Sequence, residues 1–133
     1  MEQGGRRLTG AGAFVGIDYS NKGVELARRI AAERGLQEKV RFHVADVITD
    51  DLKSAEWVPR EAGAVVGFDV CLDKGTFDAI SLSDEVLADG RRIYQGYAEK
   101  VVTVMKKGGL LVVTSCNWTE EELKEKLLVV EGM

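Results

Sequence analysis

The chain has 133 residues, 45% hydrophobic and 30% charged, which is one globular domain's worth of sequence. Its formal net charge is -4, from 18 basic and 22 acidic residues, and no run of Lys and Arg exceeds a pair, which argues against a nucleic-acid partner. No apolar stretch has the length of a bilayer span, and the polar start Met1 to Thr9 has no signal-peptide core. The expected setting is therefore the cytoplasm, with the nucleus open to it, and no membrane partner.

Residues Met1 to Gly12 are rich in Gly and Arg, have no apolar periodicity, and read as a loose segment. The apolar run Ala13–Ile17 predicts a buried strand ending at Asp18. Ser20 can then cap a helix over Asn21–Arg34, in which Val24, Ala27, Ile30 and Ala31 recur at helical spacing and Gly35 supplies the stop. A second strand is predicted over Val40–Val44, just before Asp46. The mixed stretch Ile48 to Gly67 holds the only proline, Pro59, and reads as a loop with one helical turn. Phe68–Leu72 is the third predicted strand, ending at Asp73, and Gly75 to Ser83 is a connection. A long helix is predicted over Val86–Met105, with Ile93, Tyr97, Val101 and Val104 on one stripe and Lys106-Lys107-Gly108 at its end. Leu110–Thr114 is the fourth strand. Thr119 and Glu122 form a T-x-x-E capping box that opens a helix over Glu120–Leu127.

Short apolar strands separated by helical segments predict an α/β fold, a parallel sheet with helices on both faces. Ligands of such sheets bind outside the carboxyl ends of the strands. Asp18, Asp46, Asp73 and Ser115 all stand at or just after those ends. A carboxylate at Asp18 can accept from both hydroxyls of a ribose, or can serve as an acid at a helix N-terminus. Asp46 can accept the exocyclic amine of an adenine, or can belong to a strand-end turn. In the phrase Leu72-Asp73-Lys74-Gly75-Thr76-Phe77-Asp78-Ala79-Ile80-Ser81-Leu82 two acids, a base, a glycine and an aromatic crowd the mouth of the third strand, either as a site or as a structural loop. Asn117 and Trp118 can border a substrate, or Trp118 can pack as a hydrophobic staple before the capping box. Cys71 and Cys116 lie in apolar runs and are expected to be buried, reduced thiols; with His43 the single histidine, no metal site is expected.

Three phrases carry a family resemblance: Gly-Ile-Asp-Tyr-Ser at Gly16 to Ser20, Asp-Lys-Gly-Thr-Phe-Asp-Ala-Ile-Ser-Leu at Asp73 to Leu82, and Thr-Ser-Cys-Asn-Trp-Thr at Thr114 to Thr119. Together they resemble the methyltransferase-like class I protein-lysine methyltransferases, and among these the enzymes that methylate a lysine of translation elongation factor 1-alpha. The resemblance runs from about Gly16 to Leu128. It implies a Rossmann-like methyltransferase fold, S-adenosylmethionine as methyl donor and a protein lysine on elongation factor 1-alpha as acceptor. It also implies cofactor contacts from Asp18 with its neighbour Tyr19 and from Asp46 with its neighbour Val47. Asp73 falls where this class gathers residues around the methyl donor and the incoming amine, as the catalytic candidate, and Phe77, Asn117 and Trp118 fall on the substrate side.

The sequence departs from the family at both ends. The acid that holds the ribose lies roughly 20 residues beyond the glycine-rich loop in nucleotide-binding folds, whereas only Ala13 to Ile17 separate Gly10-Ala11-Gly12 from Asp18. The expectation is a partial methyltransferase domain over residues 13–133, lacking the first strand with its Gly-rich loop and the C-terminal hairpin. Such a chain is expected to be marginally stable, to rearrange or to associate. The alternative function is a shortened, catalytically inactive form acting at most as an interaction module.

Overall fold

The computed structural model describes residues 14–128. The loose segment expected over Met1 to Gly12, the Gly10-Ala11-Gly12 run, Ala13 and the residues beyond Leu128 lie outside the described residues. The chain divides into two compact units, one ending at Asp46 and the other starting at Val47.

In the first unit, β1 (Phe14–Asp18) and β2 (Val40–Val44) are joined by α1 (Asn21–Glu33). The two strands pair in parallel, with Phe14 opposite Val40 and Asp18 opposite Val44. A parallel pair needs a crossover, and α1 provides it. Ser20 caps α1 as the sequence predicts, its hydroxyl accepting from the Gly23 N–H at 3.1 Å. Val24 and Ala31 are the buried residues of the helix, while Ile30, expected on the same stripe, is exposed. Arg28 fastens the helix to the sheet by donating to the Phe42 carbonyl from Nη2 at 2.6 Å and from Nε at 3.1 Å.

The second unit begins with a 3-10 turn, Leu52–Ser54, inside the stretch read as a loop with one helical turn. A small antiparallel hairpin follows, β3 (Arg60–Glu61) and β4 (Ala64–Val65), around Ala62 and Gly63, both at positive φ as a type I′ turn requires. Strands of two residues are too short for alternation to reveal them in sequence. Then come β5 (Phe68–Lys74), α2 (Thr76–Ser81), a 3-10 turn at Ile93–Gly96, α3 (Tyr97–Val102), β6 (Met105–Thr114) and α4 (Glu120–Leu127). β5 and β6 are parallel, with Val70 opposite Leu110 and Lys74 opposite Thr114.

Three elements differ from expectation. The helix predicted over Val86–Met105 is formed only over its second half. Upstream, the chain turns back on itself: the Leu87 N–H donates to the Arg91 carbonyl at 2.7 Å, Val86 bridges to Arg92, and Gly90 sits at a φ of 90°. That conformation favours glycine and breaks a helix. The connection expected over Gly75 to Ser83 contains α2. Lys106-Lys107-Gly108, expected to end a helix, instead lies in β6, where Lys106 pairs with Asp69 of β5 at 3.4 Å.

The core of the second unit is Ile48, Phe77, Tyr97, Ala98, Val101 and Leu127. Tyr97 and Val101 are two of the four predicted stripe residues, so the stripe is real although the long helix is not. The side chains of Cys71, Leu111 and Val113 point to this core, and their alternates Val70, Leu72, Leu110 and Val112 are exposed, as a period of two dictates. Each large apolar side chain so buried contributes roughly 1.5–3 kcal/mol. Among the described residues no helix is long and apolar enough to cross a membrane.

Candidate functional site

Two strand-end clusters carry the candidate residues, one in each unit. In the first, the parallel register sets the ends of β1 and β2 beside each other, and the Ala45 N–H donates to the Asp18 carbonyl at 3.0 Å. Asp46 therefore follows directly on the residue bonded to Asp18. The Asp18 side chain is exposed; its Oδ1 accepts from the Ser20 N–H at 2.9 Å, and Oδ2 accepts from no described residue. A Cβ on Gly23 would stand 2.8 Å from that Oδ2, so the glycine leaves the carboxylate its room. Tyr19, next along, is 80% exposed. Asp46 is half-buried and has polar partners of its own. Val47 opens the second unit and packs against its core.

An exposed carboxylate with one oxygen fixed by a backbone N–H and the other open is a suitable acceptor for a hydroxyl. Asp18 thus fits the ribose of a nucleoside cofactor, and Asp46 stands at the same sheet edge.

In the second cluster, Asp73 is the last residue but one of β5, with only 7% of its surface exposed. Its Oδ1 accepts from the Thr76 N–H at 2.9 Å and the Phe77 N–H at 3.3 Å. Its Oδ2 accepts from the Phe77 N–H at 3.0 Å and from the Tyr97 hydroxyl. Three donors thus meet the carboxylate, the Phe77 N–H being shared between its two oxygens. These contacts also explain α2: a charged acceptor before the first turn satisfies N–H groups that have no partner inside the helix. Gly75, between acceptor and helix, takes a φ of 95° to make that reach possible. Burial first, and then the Asp73 carboxylate, push the Tyr97 phenol far above its ordinary 10.0.

Phe77 is placed differently from the expectation that it borders a substrate. It is fully buried, with its ring edge-on to Tyr97 at 4.9 Å and to Tyr94 at 6.4 Å, so it offers no surface to a ligand. Asn117 is exposed and Trp118 half-buried in the segment after β6. Thr119 and Glu122 form the predicted capping box, the Thr119 hydroxyl accepting from the Glu122 N–H at 3.2 Å and Glu122 Oε1 from the Thr119 N–H at 2.9 Å. Trp118, one residue earlier, packs against the core together with Leu123, as a staple does. The two cysteines are free, as expected. Cys71 is half-buried, with burial raising its thiol, but Cys116 is exposed because its strand has already ended. No group of three or more His, Cys, Asp or Glu among the described residues can hold a metal ion.

Three residues of this cluster were given no site role of their own by sequence reasoning: Tyr97, Asp78 and Ser81. For Tyr97 the signal was a hydroxyl on an otherwise apolar helical stripe. For Asp78 and Ser81 it was their spacing of three, which puts both on one side of α2.

A methyltransferase-domain family model matches residues 4–131. The protein-lysine N-methyltransferase efm4 of Schizosaccharomyces pombe is 42% identical over 114 residues, 85% of this chain and 43% of that protein. The protein-lysine N-methyltransferase EFM4 of Saccharomyces cerevisiae is 39% identical over 112 residues, 84% of this chain and 44% of that protein. The EEF1A lysine methyltransferase 2 of Danio rerio is 38% identical over 112 residues, 84% of this chain and 42% of that protein. The chain thus spans less than half the length of these relatives. Among solved structures, the [4+2]-cyclase SpnF superposes with a TM-score of 0.52 at 23% identity, over 76% of this chain and 29% of that one, a likeness of fold.

Proposed function

This chain belongs to the methyltransferase-domain family, and from that premise we propose that it is part of an S-adenosylmethionine-dependent protein-lysine methyltransferase of the cytoplasm or nucleus, whose acceptor is a lysine of translation elongation factor 1-alpha. The observation that carries the cofactor side is Asp18: an exposed carboxylate at the end of β1, one oxygen fixed and the other without a donor among the described residues. The acceptor side is supported by the relatives, one named a protein-lysine N-methyltransferase and another an EEF1A lysine methyltransferase.

When bound, S-adenosylmethionine supplies a methyl group on a sulfonium, already a good leaving group. Asp18 would hold the ribose with Tyr19 beside it, and Asp46, at the same sheet edge, would accept the adenine amine. Asn117 and Trp118 border the acceptor lysine. Holding amine and methyl in line is chiefly a matter of proximity, and removing the lysine from water favours its neutral, nucleophilic form. Asp73 is buried and bonded to the start of α2 and to Tyr97, which makes it a positioning residue that acts through them.

The test is a calorimetric titration with S-adenosylhomocysteine, followed by mass spectrometry of purified elongation factor 1-alpha incubated with the protein and S-adenosylmethionine. Asp18→Ala removes a charge-assisted acceptor of about 1.5–3 kcal/mol and should weaken adenosyl binding at least about tenfold. Failure of the unaltered protein to bind either adenosyl ligand would overturn the cofactor reading. Binding without any methylated lysine on the elongation factor would overturn the acceptor.

A further inference from the structure

The segment after β6 is tied to α2 rather than to its own strand. Asp78 of α2 accepts the Ser115 hydroxyl at Oδ1, 2.6 Å, and the Cys116 N–H at Oδ2, 2.8 Å. Because the Ser115 hydroxyl gives its single proton to Asp78, its lone pairs are free to accept from the Asn117 N–H at 3.1 Å and the Trp118 N–H at 3.0 Å. A second tie lies three residues along the helix. Trp118 Nε1 donates to Ser81 Oγ at 2.8 Å, and that hydroxyl donates to the Asp78 carbonyl at 2.9 Å. Five hydrogen bonds thus link Ser115–Trp118 to Asp78, to Ser81 and to the Ser115 hydroxyl, three of them made by Asn117 and Trp118 themselves. The carboxylate is needed, not merely a polar group, because two donors approach its two oxygens; an amide would turn an N–H toward one of them.

The ring so fixed already carries a cation. Lys126 Nζ lies 4.3 Å from the Trp118 ring centroid and 5.4 Å from that of Tyr94. An alkylammonium over an aromatic face is attracted by the ring's quadrupole, most strongly over tryptophan.

We infer that Asp78 is a positioning residue for the acceptor: it clasps Ser115–Trp118 onto α2 and presents the Trp118 face to an incoming lysine, with Lys126 as the resident ammonium that the acceptor displaces. The inference rests on the lysine-methyltransferase reading above and names the group that sets its acceptor side.

The clasp is tested on the full chain with Trp57→Phe, which leaves Trp118 as the one indole. Asp78→Asn should shift Trp118 emission to the red and increase its quenching by acrylamide, with far-ultraviolet dichroism retained. Ser115→Ala, which removes a single hydroxyl, should do the same and serves if the first variant fails to fold. In Lys126→Met, Nα-acetyl-lysine amide should change the emission saturably, and adding Asp78→Asn should abolish that response. With methyl transfer as readout, Asp78→Asn should raise the acceptor KM about tenfold while adenosyl affinity stays unchanged. Unaltered emission in the folded variants would overturn the clasp, and a folded Lys126→Met protein blind to the lysine amide would overturn the seat. A protein that binds no adenosyl ligand would fail the methyltransferase reading alone, since the emission measurements need no cofactor.

Discussion

Replacing Asp73 separates a residue that builds the site from one that touches substrate. In Asp73→Asn the shape is kept, but the charge and one acceptor oxygen are lost. The Thr76 N–H keeps its partner and the Phe77 N–H keeps its longer bond to the same oxygen, whereas the shorter Phe77 bond is lost and the Tyr97 hydroxyl faces an amide N–H in place of an oxygen. Hydrogen bonds to a charged group contribute about 1.5–3 kcal/mol each and neutral ones about 1 kcal/mol, so the combined loss should be about 2–3 kcal/mol. Asp73→Ala leaves two N–H groups and a buried hydroxyl without a partner and should cost roughly 4 kcal/mol or more, a large share of the stability of a small domain. Urea unfolding of the full chain at neutral pH, followed by circular dichroism, measures both. The two variants should fall in that order, with adenosyl affinity and melting declining together. A change below about 0.5 kcal/mol for Asp73→Asn, the range of ordinary surface substitutions, would refute the reasoning. It would return Asp73 to direct contact with the amine, especially if methyl transfer fell while stability held.

Tyr97 gives a pH signature of the same contact. Its folded value is raised above the unfolded one by burial and by Asp73, so its contribution to stability is complete below about pH 10 and is lost as pH rises above it, when only the unfolded phenol ionises. Between about pH 10 and pH 11 the parent should lose on the order of 1 kcal/mol more than Tyr97→Phe does, and parallel pH profiles of the two in urea would contradict this. Gly75→Ala probes the turn alone: no atom lies within 4 Å of the added Cβ, yet φ is +95°. The substitution should therefore cost about 1–2 kcal/mol from backbone conformation, and a neutral thermal midpoint would show that α2 does not depend on that turn.

The sequence by itself determined the elements whose causes are local. The β1–α1–β2 unit was legible because apolar runs, a Ser20 cap and a helical stripe lie within a few residues of one another. The Thr119–Glu122 capping box was legible because its two bonds join residues three apart. The family phrases around Asp18, Asp73 and Trp118 were equally local, and they pointed to methyl transfer. What the tertiary structure alone decided depends on partners distant in sequence. Asp73 is held partly by Tyr97, 24 residues away, and the segment after β6 is clasped by Asp78, 37 residues before Ser115. Phe77 became core because α3 brings Tyr97 against it, and the helix expected from Val86 stopped short because Arg91 and Arg92 bond back across Gly90. Periodicity reports which face of an element is apolar; it carries no information about which distant oxygen or ring that face will meet, and at this site those meetings decide which side chains remain free to act.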